Sequence, residues 1–243
     1  TDWWVFFDWN RRETLGSPVE KKGYVTVLSL MTAQAFRHAA RTARLVGHDA
    51  DAAAWSARAD ELFERVMERC WDDWRGGLVD WVRGGEQSAH RSRFTSAWAI
   101  LTDVGTDAQR AKLLDDLVDP TSRLLPSTTG YGQRYNVEAL FHGGRPNDAV
   151  ALVRRYWGAM LERGATTFWE SFDPDEDPAT ALDMYGRRFA TSLCHAWSGA
   201  IAGTLATHML GVTPLAAGAT RVAVAPALGD VAWVEGTSAT AGG

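Results

Sequence analysis

Leu45-Val46-Gly47-His48-Asp49-Ala50 interrupts two long amphipathic patterns with one short turn, and its reading decides the fold. Apolar residues recur at helical spacing on both sides of it. Glycine takes the left-handed conformation that ends one helix, and a short polar side chain satisfies the free N–H groups of the next. The same chemistry returns at Val104-Gly105-Thr106-Asp107-Ala108 and at Gly143-Gly144-Arg145-Pro146-Asn147-Asp148-Ala149. Asp49, Thr106 and Asn147 are the expected N-caps. Such connections are αα-hairpin turns. Their unequal spacing disfavours a solenoid of constant period. Helices are expected over roughly 23–46, 50–70, 88–104, 107–118, 131–142, 147–162 and 187–210. The fold class is mainly α, built of helical hairpins.

The last segment changes character. Thr220-Arg221-Val222-Ala223-Val224-Ala225-Pro226 alternates polar and apolar residues, and Asp230-Val231-Ala232-Trp233-Val234 does so less strictly. They read as two strands, a hairpin or the start of a β-domain. The expected division is a helical domain over 1–215 and a β-domain beginning at 216–243, with a disordered small-residue tail from Thr237.

The composition is that of a globular chain: 243 residues, 46% hydrophobic and 23% charged. A net charge of −5 leaves no basic field for nucleic acid. Cys70 and Cys194 are too few for a disulfide framework or a thiolate zinc site. His195 and His208 lack metal-ligand spacing, and no Walker loop or dinucleotide fingerprint appears, so neither metal nor cofactor is expected. Residues 189–220 carry no Asp, Glu, Lys or Arg, but their polar residues and glycines make them a buried helix rather than a membrane span. No signal peptide is visible, and the compartment stays undecided, with a cytoplasmic site slightly favoured. Twelve tryptophans are the anomaly, and they raise the question of a flat apolar ligand such as a sugar ring.

Where that ligand sits follows from parity. If successive helices are antiparallel, the three tight turns share one end of the bundle and the long connections 71–87 and 163–186 share the other. Trp9, Trp81, Tyr131, Glu170 and His195 then converge on one face, with helix N-termini beside them. Glu170 lies between Trp169 and Phe172, aromatic neighbours that strip water from a carboxylate and suit it to act as a base; its bland reading is a solvated loop acid. His195 lies in the first turns of the seventh helix and is either a ligand contact or a satisfied core histidine. His208 reads as structural. The acidic run Asp173, Asp175, Glu176 and Asp177 reads as a solvated turn, since its spacing fits no EF-hand loop.

Three stretches resemble the inverting α-L-rhamnosidases, a family with a six-hairpin (α/α)6 barrel. Gly164-Ala165-Thr166-Thr167-Phe168-Trp169-Glu170 is similar to the family's general-base motif. Ser192-Leu193-Cys194-His195-Ala196-Trp197-Ser198 resembles the segment whose histidine contacts the sugar. Phe6-Phe7-Asp8-Trp9-Asn10 resembles the aromatic loop before the second half of the barrel. The resemblance implies inverting hydrolysis of terminal α-L-rhamnose, with Glu170 as base and His195, Trp9, Trp81, Trp169 and Tyr131 holding a carbohydrate substrate.

Several features depart from the family. Its general acid lies in a motif ahead of the stretch matched by Asp8-Trp9-Asn10, and Glu13 only superficially resembles it. About seven helices are too few to close such a barrel, so a partial toroid is expected. The chain starts at Thr1 within an aromatic run, which reads as the C-terminal part of a larger enzyme whose N-terminal part is the expected partner. Two alternatives stand beside this reading. One is another (α/α)-barrel carbohydrate enzyme acting on uronic-acid-containing glycans, with Arg134, Arg187 and Arg188 clamping a carboxylate. The other is a noncatalytic glycan-binding helical module.

Overall fold

A computed structural model of the chain describes Asp8, residues 23–184 and residues 186–239. The chain divides into two compact units between Ser127 and Thr128. Among the described residues seven helical rods form the main architecture, as the apolar periodicity predicts.

In the first unit, α1 (Thr26–Leu45) and α2 (Asp49–Cys70) form one hairpin, and α3 (Arg93–Leu101) and α4 (Asp107–Val118) form the next. Ala59, Phe63, Val66 and Cys70 line one stripe of α2 at helical spacing, and all are buried. Ala33 of α1 and Ala59 of α2 have no exposed surface, and such small side chains let helices approach closely. Burying a side chain such as Phe63 contributes roughly 1.5–3 kcal/mol. The first turn behaves as read: Gly47 has φ +82°, and His48 N–H returns to the Ala43 carbonyl at 2.9 Å. The caps are less uniform than expected. Thr106 closes a full capping box with Gln109. Asp49 and Asn147 instead fall inside their helices, after His48 and Arg145, neither of which caps through its side chain. Pro146 takes the first turn of its helix, where its missing N–H costs nothing.

Short strands join these hairpins. They are β1 (Tyr24–Val25), β2 (Trp71–Asp72), β3 (Gly77–Leu78), β4 (Trp81–Arg83) and β5 (Glu86–Gln87). β4 lies between β1 and β5, antiparallel to both, while β2 pairs with β3. The third expected helix is shorter than 88–104. Ser92 caps it by accepting from Thr95 N–H, so α3 begins at Arg93. The residues before it are held by Asp80, a buried carboxylate between β3 and β4. Asp80 Oδ1 accepts from Ser92 N–H (3.1 Å), Ser92 Oγ (2.6 Å) and Thr95 Oγ1 (2.5 Å). The Asp80 carbonyl also accepts the Thr26 N–H at 3.0 Å, so one residue ties the starts of α1 and α3.

The second unit is built on α5 (Gly130–His142), which packs against α6 (Pro146–Val153) and α8 (Ile201–His208). Past α6 the helix widens into a π-helical turn, Arg154–Gly158, before resuming as α7 (Ala159–Glu162). Tyr156 and Trp157 lie next to each other within this turn, and both are buried. A 3-10 turn, Ala196–Ala200, runs directly into α8. The expected helix over 187–210 therefore begins nine residues late, and His195 stands ahead of it in extended backbone (φ −124°, ψ 112°). The cause is competition for hydrogen bonds. Thr191 N–H goes to the Leu182 carbonyl and His195 N–H to the Phe168 carbonyl, rather than back along a helix.

The C-terminal strands also differ from expectation. β7 (Val222–Val224) pairs antiparallel with β6 (Val212–Pro214), and residues 230–234 form no strand. The Gly-Val-Thr-Pro stretch after α8 supplies the partner instead, and Ala225 N–H extends the pairing to the Gly211 carbonyl. No helix among the described residues is long and apolar enough to cross a membrane.

Candidate functional site

The segment carrying Glu170 is suspended between two others in the second unit. Thr129 caps α5 by accepting from Gly132 N–H, and the chain just before it receives the loop. The Phe172 N–H, the Ser171 hydroxyl and the Tyr156 hydroxyl all donate to the Thr128 carbonyl, at 2.9, 3.0 and 3.1 Å. On the other side the loop pairs with residues 192–195. Glu170 N–H donates to the Ser192 carbonyl at 2.8 Å, and the Thr167 hydroxyl donates to the Leu193 carbonyl. The Ser198 hydroxyl reaches the Glu170 carbonyl at 3.4 Å. Two separated stretches, Thr128 and residues 192–198, thus fix one short loop.

This lacing sets the carboxylate. Glu170 is only 14% exposed at its side chain, and its Oε2 accepts the Ser192 N–H at 3.2 Å. The same oxygen lies 4.0 Å from Nδ1 of His195, whose side chain is 30% exposed. The His195 ring meets the Trp197 ring at 4.7 Å, tilted by 49°. Trp197 in turn stacks on Tyr131, with centroids 5.2 Å apart and planes 26° apart. Tyr131 stands in the first turn of α5 and crosses Tyr135 edge-on. A carboxylate, an imidazole and two half-buried rings therefore form a continuous series. Such a series supplies polar groups for hydroxyls and flat apolar faces for the C–H side of a ring.

Of the residues singled out from sequence, Glu170, His195 and Tyr131 come together in this way. Trp169 precedes Glu170 in the chain but turns inward: it is 6% exposed and packs edge-on against Phe172 at 5.7 Å. Trp81 belongs to the first unit, half-buried in β4 opposite Val25. Trp9 and Glu13 lie outside the described residues. Trp197 is the ring that sequence reasoning passed over. The arginines of the uronic-acid alternative are differently disposed. Arg134 pairs with Glu138 at 2.7 Å and lies over the Tyr135 ring, while Arg187 and Arg188 are exposed. His208 stacks flat on Phe141, and burial pushes its pKa below the usual imidazole value. No cluster of His, Cys, Asp or Glu able to hold a metal ion occurs among the described residues.

The geometry has clear relatives. Residues 2–209 match the family of the bacterial alpha-L-rhamnosidase 6 hairpin glycosidase domain. A GH78 family rhamnosidase of Bacillus sp. GL1 superposes with a TM-score of 0.79 and 27% identity, over 93% of this chain and 23% of that one. A rhamnosidase from Klebsiella oxytoca with rhamnose bound gives 0.66 and 28% identity, over 84% of this chain and 36% of that one. An alpha-L-rhamnosidase of Streptomyces avermitilis complexed with L-rhamnose shares the fold, with a TM-score of 0.62 at 19% identity, over 83% of this chain and 18% of that one. This chain spans well under half the length of each of these solved chains. No curated protein matches it.

Proposed function

The chain belongs to the family of the bacterial alpha-L-rhamnosidase 6 hairpin glycosidase domain, and we propose that it contributes the general base of an inverting hydrolysis of terminal α-L-rhamnosides. One observation carries this reading. Glu170 is a sheltered carboxylate that accepts the Ser192 N–H, with His195 beside it and the Trp197–Tyr131 stack beyond. In an inverting reaction the base and acid stand on opposite faces of the sugar. Glu170 removes a proton from water, the water oxygen bonds to the anomeric carbon, and the bond to the leaving oxygen breaks. A carboxylic acid on the far face protonates that leaving oxygen; no described residue of this chain is assigned that role.

His195 and Tyr131 line the glycone side in this proposal, and Trp169 supports the loop from beneath. Rhamnose is a deoxy sugar with one comparatively apolar face, which suits an indole and a phenol ring more than a ring of charges would. The arginine clamp needed for a uronic acid is weakened, because Arg134 already neutralises Glu138. The test is Glu170→Gln in the rhamnosidase, assayed on an aryl α-L-rhamnoside. A fall in kcat of about 10²–10⁴-fold is expected with an unchanged unfolding temperature. A variant that keeps near-normal turnover removes Glu170 from the base role. Tight rhamnose binding with no turnover in either protein points instead to a glycan-binding module.

A further inference from the structure

We infer that Ser192 is a positioning residue whose main-chain N–H assigns different tasks to the two oxygens of Glu170; this rests on the reading of Glu170 as the base. The Ser192 N–H donates to Oε2 at 3.2 Å, and His195 Nδ1 stands 4.0 Å from that same oxygen. The contact is reciprocal, since Glu170 N–H donates to the Ser192 carbonyl at 2.8 Å. The side chain and backbone of one residue are therefore clasped by the backbone of the other. The Ser192 hydroxyl takes no part, because it donates to the Cys194 carbonyl. Oε1 receives no hydrogen bond among the described residues.

The two oxygens of a free carboxylate are equivalent, and an N–H bound to one of them ends that equivalence. The donor stabilises negative charge on Oε2 and fixes the rotation of the carboxylate about its last bond. Oε1 is left as the oxygen that accepts the proton. In the step, one O–H bond of water breaks and its proton passes to Oε1. The freed electron pair forms the bond to the anomeric carbon, and the pair of the breaking C–O bond departs with the leaving group. A leaving group such as 2,4-dinitrophenolate needs no proton, so this half of the chemistry can be read without the acid.

The test uses the full chain and 2,4-dinitrophenyl α-L-rhamnoside. Ser192→Pro deletes this one N–H, and kcat is expected to fall about 100-fold, the scale of a misplaced catalytic group, with KM within about twofold. Ser192→Ala keeps the N–H and is expected to rescue kcat relative to Ser192→Pro. A folded Ser192→Pro with wild-type kcat, alongside an inactive Glu170→Gln, overturns the inference and leaves the base reading intact. Equal turnover by wild type and Glu170→Gln overturns the base reading, and the inference falls with it. If Ser192→Pro does not fold, the Ser192 amide proton decides. An upfield move of its resonance in Glu170→Gln supports the contact to the carboxylate, and an unmoved resonance overturns it.

Discussion

Ser198 rests directly on the Cα of Gly130. A methyl group at position 130 would lie 2.6 Å from both Cβ and Oγ of Ser198, closer than real side chains come. Glycine is required there for space, because residue 130 begins α5 with helical backbone. The close approach lets the 3-10 turn seat itself on α5 while the Ser198 hydroxyl reaches the Glu170 carbonyl.

Gly130→Ala is therefore expected to destabilise the protein by about 1–3 kcal/mol, the usual cost of overpacking. Urea unfolding of a double-mutant cycle checks the cause. Ser198→Gly in the Gly130→Ala background should recover part of the loss, so the two effects are not additive. Strict additivity would place the damage elsewhere.

Trp197 is expected to matter for sugar affinity through its neighbours. It touches both Tyr131 and His195, and aromatic contacts of this kind contribute about 0.5–1.5 kcal/mol each. Trp197→Ala should weaken L-rhamnose binding about tenfold in a calorimetric titration. Unchanged affinity would leave the ring a packing residue alone.

Asp80 gives a prediction about pH. Burial pushes its carboxyl pKa up, against the opposing pull of the Ser92 and Thr95 hydrogen bonds. Its Oδ2 has no hydrogen-bond partner among the described residues. The folded protein thus binds this proton more tightly than the unfolded chain does. The resulting stabilisation is full below the unfolded value of about 3.9 and is lost as pH rises through the folded value. Asp80→Asn does not titrate, so wild-type stability should decline relative to the variant as pH increases. Denaturation curves collected upward from about pH 4 read this difference directly. A difference that stays constant with pH would show that burial does not shift Asp80.

The helices were legible because amphipathic stripes such as Ala59, Phe63, Val66 and Cys70 are long and regular. The hairpin turns were legible from glycines such as Gly47. The entry to the last helix was not, because its neighbours are as apolar as the helix itself and hydrogen-bond competition is invisible in sequence. That error also hid Trp197. Residues two apart diverge on a helix, so His195 and Trp197 look unrelated if both are helical. In the extended approach to a 3-10 turn they come together instead. Glu170 and His195 stood out through the motifs around them, whereas Ser192 acts through its backbone, which carries no residue-specific signal. The buried environment of Asp80 and the π-helical turn likewise left no mark on local composition.

The Thr128 carbonyl that holds the Glu170 loop is a main-chain oxygen, and its three donors come from the backbone of Phe172 and the hydroxyls of Ser171 and Tyr156. No point substitution at position 128 can delete that acceptor. Nor does replacing Phe172 by any residue other than proline remove its N–H. The anchor is thus partly insulated from mutation: hydroxyls can be lost one at a time over generations while the backbone link persists. Sequence drift around the loop should consequently outpace drift in where Glu170 is held.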